Sequence, residues 1–138
     1  MSPGAASDPA FDPAFGTVLA REFEDPAYFA VHQLTVAAYR LDHADGGSDH
    51  TVAALLSVLR GCLDDGLEGA RLRAHVRRTS EQLRAHPPGP VRRVGRPPGT
   101  GIADVARARD ADEHCAVVRR WAAEVWEAWR PVADELGV

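Results

Sequence analysis

His32, Tyr39 and His43 are the residues best equipped for chemistry in this chain, and they fall in the segment V-H-Q-L-T-V-A-A-Y-R-L-D-H-A, residues 31–44. At 3.6 residues per turn, separations of seven and then four positions predict two imidazoles and a phenol on one stripe of one helix. Tyr28 extends that stripe by a further turn. Most of the surrounding side chains are apolar, so the stripe is expected to face a protein interior. There each polar group needs a partner, whether a metal, a ligand or another side chain.

Neutral imidazole can serve as a metal ligand or as a proton carrier near pH 7. On a straight helix His32 and His43 stand about 16 Å apart at 1.5 Å per residue. One metal ion with ligand bonds of about 2.0–2.1 Å cannot be shared across that distance. A single-metal site would therefore combine one of them with groups from other helices. His114, beside Glu113 near the start of the last helix, is the natural candidate, and could meet His32 or His43 if the two helices pack. Histidines from facing helices are how bundle-core metal sites are assembled, but the chain has no Glu-x-x-His pair and no His-Glu-x-x-His motif.

The expected acid–base groups are His43, Tyr39 and His114, and the expected metal ligands are His43, His114 and His32, with a divalent ion such as zinc as the cofactor. His32, Tyr28 and Trp121 are expected to contact a small-molecule ligand. The alternative for every histidine is a hydrogen bond to a carbonyl or an acid on a neighbouring helix. His50, His75 and His86 are assigned to the surface. Trp121, Trp126 and Trp129 either stack on a planar ligand or anchor the core. Arg92, Arg93 and Arg96 either hold an anion or belong to a solvated loop. No serine lies in a nucleophile elbow, and Cys115 points about 100° away from its neighbour His114 on a helix.

Length and composition frame these groups. A chain of 138 residues with 45% hydrophobic and 26% charged residues is expected to be a single globular domain. The net charge of −4 gives no attraction to nucleic acid or to an anionic membrane, so neither is expected as a partner. All basic residues are arginine, which excludes a lysine Schiff base and a P-loop lysine. Residues 1–10 have neither a basic nor an apolar leader segment, and no apolar run approaches the roughly 20 residues of a membrane span. Cys62 and Cys115 fit no disulfide framework, which suits a cytoplasmic protein.

The elements that would position the site are all helical. Residues 1–10 read as a disordered tail, and 11–138 as one all-α bundle of four main helices plus a short N-terminal helix. Asp12-Pro13 and Asp25-Pro26 are cap-and-start signals. The first opens a short helix with Phe15, Val18, Leu19 and Phe23 inward; the second opens a long central helix from about Ala27 to His43. Ser48 caps a third helix ending at Asp64-Asp65-Gly66, and a fourth runs from about Leu67 to Ala85. Residues 87–101, rich in proline and glycine, form an extended crossover. The last helix spans about Ala111 to Leu136, with His114, Val118, Trp121, Val125 and Val132 on one stripe.

The segment A-R-E-F-E-D-P-A-Y-F-A-V-H-Q-L-T-V-A-A-Y-R-L-D-H, residues 20–43, resembles the hallmark of an uncharacterised bacterial family with a domain of unknown function. The stretch D-A-D-E-H-C-A-V-V-R-R-W-A-A-E-V-W-E-A-W, residues 110–129, is similar to that family's C-terminal helix. The resemblance marks His32, Tyr39, His43, His114 and Trp121 and implies no reaction. A looser architectural likeness to DinB-type four-helix bundles implies one metal held by three histidines. Two functions remain open: a metal- or small-ligand-binding enzyme with a buried His/Tyr pocket, or a non-catalytic interaction module. The second would be a homodimer through its tryptophan face, with structural histidines.

Overall fold

The computed structural model describes residues 12–43 and 47–138, and every regular element among them is a helix. The expected N-terminal tail lies outside the described residues. Helix α1 is Pro13–Glu24, with the Asp12 carboxylate accepting from the Ala14 amide at 2.8 Å. Helix α2 is a single turn, Pro26–Phe29, capped in the same way by Asp25. Helix α3 is His32–Asp42 and α4 is Asp49–Leu63, the latter capped by Ser48. Helices α5 (Gly69–Ala85), α6 (Ile102–Ala106) and α7 (Ala111–Leu136) complete the chain.

The expected continuous helix from Ala27 to His43 is therefore two pieces. Val31 adopts φ −107° and ψ 11° and becomes the N-cap of α3. That departure from helical geometry interrupts the backbone ladder at residues 30–31. Tyr28 packs against the His114 ring while His32 bonds Glu22, so the two do not act as one continuous stripe. All three helix starts marked by cap signals (Asp12-Pro13, Asp25-Pro26 and Ser48) fall where the signals place them. The short α6, whose Asp104 carboxylate accepts from the Gly101 amide at 2.9 Å, is unforeseen by any periodic pattern.

Helices α3, α4 and α7 pack on one another and hold the core, α5 lies against α4, and α1, α2 and α6 gather around the N-terminal part of α7. Trp121, Trp126 and Trp129 are all buried within this core. An exterior tryptophan face for dimer contact is thereby corrected: the heptad-like stripe of α7 is consumed by the protein's own α3 and α4.

Residues 87–101 have no helix or strand and run along the bundle. Most of the segment is exposed, but its arginines are paired and not free in solvent. Arg96 makes a two-pronged pair with Asp42, both bonds 2.6 Å, and Arg93 reaches Asp49 at 3.0 Å. Thr100 adds two bonds to Glu124, at 2.9 and 2.8 Å from its amide and hydroxyl. Arg92 is exposed and pairs with Glu135 at 2.7 Å. Bidentate guanidinium–carboxylate geometry gives such a strap its register. No helix among the described residues is long and apolar enough to cross a membrane.

Candidate functional site

Helix α1 contributes the group around which the site is built. Val18 and Glu22 stand one turn apart, and both are buried, Glu22 with only 1% of its surface exposed. A carboxylate without water is costly unless donors surround it. Glu22 has three. Its Oε1 lies 2.8 Å from His32 Nδ1, and its Oε2 lies 2.9 Å from His114 Nε2 and 2.5 Å from the Thr35 hydroxyl. Two elements supply them: α3 gives His32 as its first residue and Thr35 one turn on, and the first turn of α7 gives His114.

The pattern assigns the imidazole protons. An ionised carboxylate only accepts, so His32 donates from Nδ1 and His114 donates from Nε2. His32 is left with Nε2 unbonded among the described residues, and its side chain is 16% exposed against 0% for Glu22. His114 is wholly buried, and its Nδ1 has no hydrogen-bond partner among the described residues. Tyr28 meets the His114 ring edge-on at 4.9 Å between centroids. Phe29 stacks on His32 at 4.8 Å and 12°, and Phe23 tilts against it at 4.8 Å. Phe23 was expected inward on α1; it is 67% exposed, and Glu22 holds the inward position instead.

A cleft of about 420 Å³ opens beside His32. Phe29, Leu34, Leu67 and Leu72 give it apolar walls, while His32, Arg73, Arg119 and Glu68 bring polar groups. Its volume falls within the general range of small-molecule pockets. Cys62 also lines it, but burial pushes that thiol up to about 11, so it remains neutral and a poor nucleophile near pH 7. Burial raises Cys115 as well, against the opposing pull of Arg119, and its thiol donates to the Ala27 carbonyl at 3.4 Å. A second groove of about 440 Å³ at the far end of α5 and α7 is bordered by His86, Arg92 and Glu135, the last two already paired.

The remaining predicted residues lie elsewhere. Tyr39 and His43 sit at the opposite end of α3. His43, the C-cap of that helix, stacks on Tyr39 at 3.8 Å and donates from Nδ1 to the Tyr39 carbonyl at 2.8 Å. The Tyr39 hydroxyl accepts from the Asp12 amide at 2.9 Å, and its ring stacks on Phe15. Trp121 donates to Asp42 at 2.8 Å and does not border the cleft. His32, His43 and His114 are thus not gathered into one centre. Among the described residues no three His, Cys, Asp or Glu side chains stand where they could hold a metal ion. His75 is not a free surface group either: half-buried, its Nε2 lies 2.9 Å from the Ser57 hydroxyl and 3.0 Å from the Ser57 carbonyl.

Sequence reasoning passed over Glu22 and Thr35. The available signal was an acid on the same helical stripe as Phe15 and Val18, a place where a charge needs a partner.

Fold and site together define an all-helical protein with a buried carboxylate bridging two histidines beside an apolar cleft. Residues 9–130 match the Family of unknown function (DUF5946), and the chain belongs to that family. No curated protein and no solved structure matches the chain.

Proposed function

We propose that this is a cytoplasmic small-ligand-binding protein that exchanges a proton with its ligand through His32. The observation that carries this reading is the placement of His32 between the cleft and the buried Glu22 carboxylate. Glu22 fixes the imidazole's orientation and tautomer, a job a carboxylate performs for histidine in general acid–base catalysis. Thr35 and His114 hold the carboxylate still. The two free thiols suit a reducing compartment. Tyr39, His43 and Trp121, bonded into the frame, have no part in this reading, and neither does a metal.

Saturation-transfer NMR with straight-chain acids, alcohols and amides against the wild type and His32→Gln tests it. Binding that the substitution weakens is expected. If no compound's binding depends on His32, the reading fails.

A second reading, a non-catalytic self-associating module, is favoured by the exposed pair Phe23 and Phe29, 67% and 46% accessible and 5.8 Å apart. It requires a melting temperature that rises with protein concentration and stops doing so in Phe23→Ser/Phe29→Ser.

A further inference from the structure

We infer that the ligand of the His32 cleft is an organic anion, a carboxylate or phosphate head carried on an apolar body. This rests on the cleft being the ligand site and adds the chemical class of its occupant. Arg73 from α5 and Arg119 from α7 both border the cleft. Neither guanidinium makes a hydrogen bond or ion pair among the described residues. The exposed Arg71, Arg77, Arg78 and Arg84 are unpaired too among the described residues but do not border the cleft, whereas Arg60, Arg92, Arg93, Arg96 and Arg130 each have a carboxylate partner.

Two planar cations over one apolar cleft, with a single acid, Glu68, beside them, leave a net positive mouth on a protein whose overall charge is −4. Guanidinium forks match carboxylate and phosphate oxygens in pairs. In the same lining, Leu34, Leu67 and Leu72 offer contact to hydrocarbon and no hydrogen bond from their side chains. The neutral Cys62 adds no competing charge. A head group against the arginines would bring the adjoining part of the ligand toward the His32 ring, the cleft's one titratable imidazole.

The test uses octanoate and 1-octanol on the whole protein, with calorimetry for affinity and the ring nitrogen resonances of His32 for location. Octanoate should bind roughly tenfold or more tightly than 1-octanol, as expected for charge-assisted hydrogen bonds, and should shift the His32 resonances. Arg73→Gln/Arg119→Gln alters two exposed side chains, so its melting temperature should stay with the wild type while the preference for octanoate disappears. Equal affinity for the two probes with His32 shifted by both would overturn the anion inference and leave the cleft reading intact. A preference that survives the double substitution would also overturn it. If neither probe moves His32, the cleft reading falls and the inference with it.

Discussion

Glu22 Oε2 accepts a 2.9 Å hydrogen bond from His114 Nε2 across 92 positions of sequence, and neither side chain has any solvent exposure. The bond joins the first helix to the last. It is the closure on which the geometry of His32 depends, because the same carboxylate holds that ring.

Glu22→Gln keeps the shape of the side chain but replaces one accepting oxygen with an NH2 group. That donor would face a Thr35 hydroxyl or a histidine N–H already committed to donating. Spoiling one buried hydrogen bond to a charged acceptor costs about 1.5–3 kcal/mol. Urea denaturation should show a loss of that order, and wild-type stability in this variant would contradict the described network.

The hydrogen-bond pattern also fixes which nitrogen carries the proton. At a pH where both rings are neutral, long-range proton–nitrogen NMR should find His32 as the Nδ1–H form and His114 as the Nε2–H form. The reverse tautomer at either ring is incompatible with a shared carboxylate acceptor.

Arg96→Gln should loosen the crossover. Arg96 and Asp42 side chains are 12% and 14% exposed, so their pair is only partly screened by water. A loss of about 1.5–3 kcal/mol is expected for hydrogen bonds to charged groups. Limited proteolysis should cut the variant within residues 87–101 sooner than the wild type, and equal rates would argue against the strap.

Cys62 gives a pH dependence of known sign. Its thiol is raised from the ordinary 9.0 to about 11 by burial. Between those values the unfolded chain has lost this proton and the native protein has kept it. The Cys62 contribution to stability is therefore fully present below pH 9 and declines as pH climbs toward about 11. Cys62→Ala should flatten that part of the curve, and thiol-reactive probes should label Cys62 slowly at pH 8.

The sequence made the helix ends legible where capping chemistry is local. Asp12-Pro13, Asp25-Pro26 and Ser48 all lie next to the helices they start, and the α7 stripe from His114 to Val132 is buried along its length. The break at residues 30–31 left no such mark, since neither Ala30 nor Val31 is a helix breaker by type. Glu22 was hidden for a different reason. Composition sends carboxylates outward, and its burial depends on histidines 10 and 92 positions away. The strap was misread because its arginines find Asp42 and Asp49 only after the bundle has assembled.

Among the members of the Glu22 network, His32 alone reaches the outside; Glu22 and His114 are sealed behind it, and Thr35 is buried too. The arrangement is a corridor with a single doorway. A visitor lying across that doorway would shut the interior imidazole off from the bulk, and the innermost proton would then come and go only on the visitor's schedule.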